Sequence, residues 1–484
     1  MASYLSKLLI DGEWRDAVSG ETFPVTNPST GAELVRIADA SAEDVTQAID
    51  AAERAQKSWA ATPALERSRI IRRAAEIGRE NIQRLAEILT EEQGKPVAQS
   101  IGEINYGLDF LDWFAEEGRR AYGTTVPSTG PDKRIVAIKQ AAGISVAITP
   151  WNFPSLQILR KLGAALAAGC TMIVKPAALT PLSALEIGRF FTEAGLPDGV
   201  LQVITSSRAS RVSPTLMQDT RVRVVSFTGS TEVGKILMRE GADSMKRLSL
   251  ELGGHAPFIV FEDADLEHAV NQAVAVKMRN MGQTCVSANR IYVQRGIAAE
   301  FSQRFVEKLR AMPIGDGIAP GTEVGPLVDG PAVAKVEEHV ADALAKGAEI
   351  LFGGHRPEGE EFANGHFYEP TVLRGVDSSM LVASEETFGP VAPIFEFDTE
   401  EEVIEQANNS PFGLAAYFFT RDVNRIVRVS EALEYGTVGA NDGMISAVQA
   451  PFGGVKESGI GREGGHWGLD EYMDIKYISL AGLA

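Results

Sequence analysis

The residue of this sequence best placed to do chemistry is a cysteine in a polar loop. Cys285 stands in Gly282-Gln283-Thr284-Cys285-Val286-Ser287, between a predicted helix at 266–278 and a predicted strand at 290–293. Loops on a packed scaffold can hold reactive side chains in the open, and a thiolate is a strong nucleophile. The other cysteine, Cys170, lies in an apolar run and is predicted to be a buried core residue. We therefore expect Cys285 to be the nucleophile.

Polar groups also stand at the ends of several predicted strands upstream of this cysteine. They are Asn152 in Trp151-Asn152-Phe153-Pro154, Lys175, Gly229-Ser230 after Phe227-Thr228, and Glu251 before Gly253-Gly254. Ligands of open parallel sheets bind beyond the carboxyl ends of the strands, and a helix that begins after Ser230 would offer N–H groups to a phosphate. A single Glu or Lys is usually a solvated surface charge, so the prediction of a site depends on their joint presence.

These residue types permit one sequence of steps. Cys285 attacks a carbonyl carbon, while Asn152 and the main-chain N–H of Cys285 stabilise the oxyanion. One such donor lowers the barrier by about 2.7–4 kcal/mol. A nucleotide cofactor then accepts a hydride and leaves a thioester, and Glu251 activates the water that releases an acid.

Other motifs predict little. Gly459–Gly464 matches the dinucleotide pattern G-x-G-x-x-G, but only 20 residues follow it, too few for a βαβ unit. Gly229–Lys235 resembles a phosphate loop, but Ile236 stands where Ser or Thr must touch magnesium. The sequence has no G-x-S-x-G motif. Six scattered histidines without H-E-x-x-H predict no metal site.

Composition excludes some classes of partner. The chain has 484 residues, 44% of them hydrophobic, and a net charge of −19 from 46 basic and 65 acidic residues. This acidic balance argues against nucleic acid as the main partner. Two cysteines cannot build a disulfide framework, so a cytoplasmic location is expected. We find no signal peptide in residues 1–14 and no apolar run that could cross a membrane.

The elements that must position these residues fall into two βα series, which predict parallel sheets covered by helices. A capping box at 41–44 opens a first helix, and long helices are expected at 63–92 and 98–120. The first series begins near 143, the second begins near 257, and Gly253-Gly254 is a predicted hinge between them. A hairpin at 122–141 and a last strand at 472–480, which has no local partner, suggest an arm that pairs with another subunit.

The chain resembles the aldehyde dehydrogenase superfamily at seven ordered groups of residues. They are 150–154, 175–177, 227–230, 250–254, 282–285, 386–390 (Glu-Thr-Phe-Gly-Pro) and 451–456 (Pro-Phe-Gly-Gly-Val-Lys). The resemblance implies an α/β fold with two open parallel-sheet, Rossmann-like domains and a β bridging arm. It places a cofactor-binding domain at 1–121 and 142–251, a catalytic domain at 252–442 and a bridging and oligomerisation arm at 122–141 and 465–484. A homodimer or homotetramer is expected.

The resemblance also implies roles for individual residues. Cys285 would be the nucleophile, Glu251 the base and Asn152 the oxyanion donor, while Glu386 would bind the ribose beside the nicotinamide. The remaining residues of the implied cofactor cleft are Trp151, Lys175, Ala178, Gly229, Ser230, Leu252 and Phe388.

Within the superfamily the sequence is most similar to succinate-semialdehyde dehydrogenases. Two arginines and a serine hold the substrate carboxylate in that family, and the matching residues are Arg160, Arg279 and Ser446. Guanidinium groups suit carboxylates; the alternative for Arg160 is a simple cap on a helix face. The resemblance leaves other substrates open, namely glutarate or 2-oxoglutarate semialdehyde and a broad range of aldehydes. A cysteine thioesterase and a non-catalytic binding protein are the alternatives from other classes.

Two departures from the family pattern carry predictions. Some relatives have a second cysteine two residues after the nucleophile, which allows a disulfide switch, and here that residue is Ser287. We therefore expect no such switch. Ala178 stands where NAD-preferring relatives often have Glu and NADP-using ones often have Ser. Since Ala removes a carboxylate that would repel a 2′-phosphate, we expect NADP to be accepted and preferred over NAD.

Overall fold

The structure, a computed structural model, describes residues 4–482. Residues 1–3 of the predicted cofactor-binding domain and residues 483–484 of the predicted arm lie outside the described residues. The first elements are β1 (Leu8–Ile10), β2 (Glu13–Arg15), β3 (Thr22–Thr26), β4 (Glu33–Ala38), α1 (Ala42–Ala61), α2 (Ala64–Glu80), α3 (Ile82–Gln93) and α4 (Val97–Glu117). The capping box is confirmed: Ser41 accepts from Asp44 N, and the Asp44 carboxylate accepts from Ser41 N at 2.9 Å.

The single helix expected at 63–92 was wrong, because the chain forms two helices there. Asn81 separates α2 from α3 with φ −111° and ψ 15°. Its side-chain Nδ2 donates to Ile77 O at 2.8 Å. Asn side chains that bind nearby main-chain groups compete with helical hydrogen bonds, and they therefore favour helix ends.

The middle of the chain contains a hairpin and the first βα series. Its elements are β5 (Thr124–Val126), β6 (Arg134–Ala141), β7 (Ile144–Ile148), α5 (Pro154–Ala168), β8 (Met172–Lys175), α6 (Leu182–Glu193), β9 (Leu201–Val203), α7 (Ala209–Gln218), β10 (Val222–Thr228), α8 (Thr231–Ala242) and β11 (Arg247–Glu251). Helix α8 begins directly after Ser230, as predicted.

The second series and the C-terminal segment complete the chain. Their elements are β12 (Ala256–Val260), α9 (Leu266–Met278), β13 (Ala288–Gln294), α10 (Ala298–Arg310), α11 (Gly330–Ala345), β14 (Glu349–Phe352), β15 (Thr371–Arg374), α12 (Leu381–Ser384), β16 (Val391–Phe397), α13 (Glu400–Asn408), β17 (Phe412–Gly413), β18 (Ala415–Phe419), α14 (Val423–Ala432), β19 (Thr437–Ala440), β20 (Val455–Lys456), β21 (Gly459–Ile460), α15 (Gly465–Asp470) and β22 (Met473–Leu480).

Two open sheets organise these elements. The first has the order β2-β1-β9-β8-β7-β10-β11-β21, in which the five strands from β9 to β11 are parallel. The second has the order β14-β15-β16-β13-β12-β18-β19 and is parallel from β15 to β19. Each sheet has its own buried apolar clusters beneath its helices. The α/β fold class with two parallel sheets is therefore confirmed.

The arm is a three-stranded antiparallel sheet in the order β22-β6-β5. Strand β22 pairs with β6 of the same chain along its whole length, from Met473 opposite Ala141 to Leu480 opposite Arg134. The last strand, which was expected to have no local partner, thus pairs with the distant hairpin of its own chain. The pairing spans more than 300 residues of sequence, so no local pattern could reveal it.

The described residues show two further features. Cys170 is fully buried in the core, as predicted. None of the helices between residues 4 and 482 is both long enough and apolar enough to pass through a bilayer.

Candidate active site

Cys285 lies on a tightly constrained loop between the two sheets. The loop follows α9 through Asn280, Met281 and Gly282, which have φ angles of 48°, 59° and 73°. Two non-glycine residues in the left-handed region store strain that only a well-packed site tolerates. The opposite wall is the predicted hinge, where a Cβ on Gly254 would lie 2.1 Å from the Cys285 carbonyl oxygen. Close approach to the nucleophile therefore requires glycine there, and Cys285 itself is only partly buried.

Glu251 contacts the thiol directly. Sγ of Cys285 donates to Oε1 of Glu251 at 3.0 Å. The other carboxylate oxygen accepts from Thr228 Oγ1 at 3.2 Å and from Gln157 Nε2 at 3.3 Å. Thr228 and Glu251 are register partners at the ends of β10 and β11. The carboxyl ends of two parallel strands thus aim the carboxylate at the cysteine, as expected for a ligand site in an open sheet.

Burial governs the protonation of this pair. Burial, followed by the charge of Glu463, raises the pKa of Glu251. Burial, followed by the charge of Glu251, raises the pKa of the Cys285 thiol well above its usual value. A free thiolate is therefore disfavoured in the resting site. The geometry instead allows the thiol proton to pass to Glu251 as the sulfur attacks.

Behind Glu251 lies a buried charge cluster of Arg160, Lys161 and Glu463. Nη1 of Arg160 donates to Glu463 at 2.9 Å, and Lys161 binds the other oxygen of the same carboxylate. Lys161 also donates to Thr228 Oγ1 at 2.8 Å, which connects the cluster to the base. Although burial alone would raise the pKa of Glu463, Lys161 and Arg160 outweigh it and lower that pKa.

Arg160 is consequently not a cap on an exposed helix face. It is 4% exposed, and its guanidinium lies between the rings of Phe110 and Phe452 at 5.1 and 4.8 Å. One of its N–H groups already binds Glu463. The sequence alone had no signal for this partner, which lies 303 residues away.

Two N–H groups are available at the nucleophile loop. Nδ2 of Asn152 donates to Gln283 O at 2.9 Å, which fixes the amide plane and leaves the second N–H of that nitrogen available. The main-chain N–H of Cys285 makes no hydrogen bond to any residue between 4 and 482. Asn152 and Cys285 line the same cavity. This arrangement can hold an oxyanion.

Tyr106, on α4, is a residue near the predicted carboxylate-binding residues that sequence reasoning missed. Arg160, Arg279 and Ser446 all act on its phenol and oppose the effect of burial on its pKa. Burial raises the pKa of this phenol, so the hydroxyl keeps its proton and can donate it. Arg279 stacks over Phe153 at 5.0 Å and forms no ion pair within the described part of the chain. A partly buried guanidinium without a carboxylate is ready for an anionic ligand.

The cysteine opens into a cavity of about 380 Å³ between the two sheets. Its walls include most of the predicted cofactor residues, namely Trp151, Gly229, Ser230, Leu252, Glu386 and Phe388. The rings of Trp151 and Phe388 meet edge to face at 5.5 Å. Lys175 and Ala178 are not part of these walls.

The cleft residues fit a dinucleotide. Ser230 caps α8 by accepting from Val233 N, and a Cβ on Gly229 would lie 2.4 Å from the Phe227 ring, so glycine is required there. Both residues line the cavity, which brings this helix N-terminus to the cleft. Glu386 accepts from Gly254 N at 3.2 Å, and burial raises its pKa to about 8. A buried carboxylate with few hydrogen-bond donors around it can accept hydrogen bonds from ribose hydroxyls.

Lys175, at the end of β8, is a buried cation. It is 5% exposed, and its Nζ makes no hydrogen bond or ion pair with residues 4–482. Burial lowers its pKa to about 8, partly offset by the charge of Asp39. Buried ammonium groups are normally paired, so Lys175 fits a ribose hydroxyl or a phosphate.

Arg208 is a further cation that the sequence analysis did not single out. It is exposed at the start of α7 and has no ion pair within residues 4–482. The two residues before it, Ser206 and Ser207, hold Asp39 at 3.0 and 2.9 Å. Since Asp39 acts on Lys175, the two cations stand at the same end of the sheet.

A larger cavity of about 610 Å³ lies elsewhere, beside Arg290. Arg290 is buried and donates to the last carbonyls of α13, Gln406 O and Ala407 O, at 3.1 and 3.0 Å. A cation at a helix C-terminus is a structural arrangement. In the part of the chain that the structure describes, no cluster of three metal-ligating side chains is found.

Comparisons with known proteins agree with this geometry. The family model described as aldehyde dehydrogenase family matches residues 14–478. The chain is 51% identical to a glutarate-semialdehyde dehydrogenase of Pseudomonas putida, with 98% of this chain and 97% of the relative covered. It is 51% identical to an NADP(+) succinate-semialdehyde dehydrogenase of Escherichia coli, with 99% and 98% covered. A solved succinate-semialdehyde dehydrogenase from Burkholderia pseudomallei superposes with a TM-score of 0.96 at 49% identity, with 99% and 98% covered. The resemblance is thus confirmed, and the chain belongs to the aldehyde dehydrogenase family.

Proposed function

We propose that this chain oxidises an aldehyde that carries a distal carboxylate, with succinate semialdehyde as the first candidate, using NADP or NAD. The observation that carries the proposal is the Arg279 guanidinium, which forms no ion pair among residues 4–482 and comes six residues before a cysteine already in contact with its base. The named relatives from Escherichia coli and Pseudomonas putida act on succinate and glutarate semialdehyde, which both end in a carboxylate. Glutarate or 2-oxoglutarate semialdehyde is therefore the second candidate.

The first step forms a bond between Sγ of Cys285 and the aldehyde carbon. Glu251 takes the thiol proton across 3.0 Å as this bond forms. The aldehyde oxygen becomes an oxyanion, which the free N–H of Asn152 and the main-chain N–H of Cys285 stabilise. The two donors are fixed before reaction by the loop at 280–283.

Bound NADP or NAD supplies the acceptor for the hydride that leaves the carbon, so the adduct on Cys285 becomes a thioester. Trp151, Phe388, Glu386 and the N-terminus of α8 line the cleft and would orient the nucleotide. Before hydrolysis Glu251 releases to solvent the proton that it took from the thiol, so its carboxylate can act as a base again. Glu251 then takes a proton from water as the water oxygen bonds to the acyl carbon, the carbon–sulfur bond breaks and the acid leaves. The Cys285 sulfur finally takes this second proton from Glu251, which restores the thiol.

Substrate choice depends on the pocket around Tyr106. We assign the carboxylate to Arg279 and Ser446, with the Tyr106 hydroxyl as a third donor. Arg160 acts on the same pocket through its positive charge, although one of its N–H groups is committed to Glu463. Removing any uncompensated cation from such a pocket weakens binding of a carboxylate by about 1.5–3 kcal/mol.

The residues at the carboxyl ends of β8 and β9 favour NADP over NAD. Ala178 places no carboxylate near the 2′-position, and Lys175 and Arg208 supply two unpaired cations at that end of the sheet. The nearby carboxylate of Asp39 forms an ion pair with Arg211 at 3.2 Å. A strongly acidic protein needs such a local positive site to bind a phosphate.

The remaining assignments are proposals of the same kind. Residues 1–121 and 142–251 bind the cofactor, residues 252–442 carry the nucleophile, and residues 122–141 with 465–484 assemble a homodimer or homotetramer. The outer edge of β22 supports the last point, because Ile475 and Tyr477 are 74% and 63% exposed beside an unpaired strand edge in the described sheet. We expect the enzyme to act in the cytoplasm.

The test is a panel of aldehydes with both nucleotides, followed by absorbance of the reduced nicotinamide. Succinate and glutarate semialdehyde should react with kcat/KM far above that of butanal, and NADP should exceed NAD. Thioester hydrolysis without nicotinamide would support a thioesterase instead. Equal rates with charged and neutral aldehydes would refute the carboxylate proposal.

A further inference from the structure

Lys95 is a fully buried cation that the steps above do not use. Its side chain is 0% exposed and forms an ion pair with Glu103, which is 0% exposed as well. Nζ also donates to the main-chain oxygen of Asn152 at 2.6 Å and lies 4.0 Å from the Phe153 ring centroid. The cation therefore touches the carbonyl of the residue whose side chain faces the oxyanion.

Glu103 extends this contact to the helix that carries the charge cluster. Its Oε1 accepts from Ser155 N at 2.9 Å and from Leu156 N at 3.2 Å, which satisfies the first turn of α5. Arg160 and Lys161 lie on that helix. The pair Lys95–Glu103 thus fixes both Asn152 and the start of α5.

A second donor reaches the same carbonyl from the nucleophile loop. Nδ2 of Asn280 donates to Asn152 O at 2.9 Å, and Asn152 Nδ2 donates to Gln283 O at 2.9 Å. Asn152 belongs to the first sheet unit, while Asn280 and Gln283 precede Cys285 on the second. Lys95 and Asn280 share one acceptor at the junction of the two.

The backbone around Lys95 is anchored to the second unit. Val97 N donates to Gly317 O at 3.1 Å. A Cβ on Gly317 would lie 2.7 Å from Lys95 O, and one on Gly325 would lie 2.3 Å from Gly94 O. The segment before α4 therefore packs backbone to backbone against the unit that carries Cys285.

We propose that Lys95 is a positioning residue that holds the oxyanion donor Asn152 in register with Cys285. The inference rests on the proposed dehydrogenase function and deepens it. Buried ion pairs contribute little net stability compared with apolar side chains of the same size. A fixed position for Asn152 does matter, because oxyanion donors must lie within a few tenths of an ångström of their place.

The test is a double-mutant cycle between Lys95→Met and Asn152→Ala in the full-length enzyme. We expect Lys95→Met to lower kcat at least about tenfold, a fraction of the 10²–10³ that one oxyanion donor contributes. The KM for nucleotide and its dissociation constant should change less than about twofold, because Lys95 does not line the cleft. In the Asn152→Ala background Lys95→Met should have almost no further effect on kcat.

A matched control is Lys246→Met. Lys246 is also buried and donates to two main-chain oxygens, Asp219 O and Val222 O, at 2.7 and 2.9 Å, but it lies at the amino end of β10. Lys246→Met should change kcat by the same factor in the wild type and in Asn152→Ala. Glu103→Gln keeps the size of the side chain and is the second variant, expected to show the same non-additivity, should Lys95→Met fail to fold.

The outcomes are distinct. A wild-type protein that reduces neither nucleotide with any aldehyde would refute the proposed function itself. An active wild type in which the effects of Lys95→Met and Asn152→Ala simply multiply would overturn the positioning role. A loss confined to nucleotide binding would overturn it as well.

Discussion

Sγ of Cys285 lies 3.0 Å from Oε1 of Glu251. The cysteine precedes β13 of the second sheet, and the glutamate is the last residue of β11 in the first. The contact therefore joins residues of the two sheet units. The carboxylate is close enough to accept the thiol proton with no water between them. Although burial raises the pKa of the thiol, this contact with a base allows Cys285 to act as a nucleophile.

Glu251→Gln should lower kcat by about 10²–10⁴, because an amide cannot accept the proton of the thiol or of water. The pKa of Cys285 should fall at the same time, since the charge of Glu251 helps to raise it. The pH dependence of Cys285 alkylation measures this second effect. Lost activity with an unchanged or higher thiol pKa would contradict the assignment.

Glu463→Gln should move the acid limb of the kcat/KM profile to lower pH. Glu251 works as a base when ionised, and burial and Glu463 raise its pKa, so activity falls as the pH drops through that raised value. Removing the charge of Glu463 also leaves Arg160 and Lys161 unneutralised, and both changes lower the pKa of Glu251. Glu463→Asp keeps the charge and should leave the limb close to its original place. A shift to higher pH in Glu463→Gln would disprove the coupling.

Arg279→Ala should lower kcat/KM for succinate semialdehyde about 10–100-fold, the value of a charged hydrogen bond. The rate with butanal should change less than about threefold, because the neutral aldehyde has no carboxylate to lose. Arg279→Lys should have a kcat/KM for succinate semialdehyde between that of the wild type and that of Arg279→Ala, since an ammonium lacks the planar fork of a guanidinium. An equal loss with both aldehydes would mean that Arg279 acts on the loop rather than on the carboxylate.

Arg208→Ala should weaken binding of 2′,5′-ADP about tenfold, which corresponds to about 1.4 kcal/mol, and leave ADP unchanged. Calorimetry measures both, without any aldehyde. Arg223→Ala is the control, because Arg223 is also exposed and without an ion pair among residues 4–482 but lies at the opposite end of the sheet. If Arg208→Ala weakens the binding of both nucleotides equally, Arg208 does not recognise the 2′-phosphate.

The sequence predicted those parts of the site that sit in short ordered motifs. Cys285, Glu251 and Asn152 each lie at a strand end or a loop, where residue type and position are sufficient to suggest a role. The alternation of strands and helices likewise predicted both sheets. These features depend on neighbours within a few residues.

The parts that the sequence could not predict depend on contacts between distant residues. Glu463 contacts Arg160 and Lys161 across about 300 residues of sequence. Arg160, predicted to bind the substrate carboxylate, is therefore already paired with a carboxylate of the protein. Tyr106 and Lys95 come from ordinary-looking helical segments and reach the site only after packing. The break at Asn81 was missed because Asn is tolerated inside many helices, and the side-chain hydrogen bond that accompanies this break is not visible in the sequence.

The most direct test is peptide mass spectrometry of wild-type enzyme quenched in acid during turnover. With succinate semialdehyde and NADP together, the peptide that contains Cys285 should carry a succinyl thioester, and it should carry none when the nucleotide is omitted. Reduction of NADP without any acyl group on Cys285, or with the acyl group on another residue, would contradict the account.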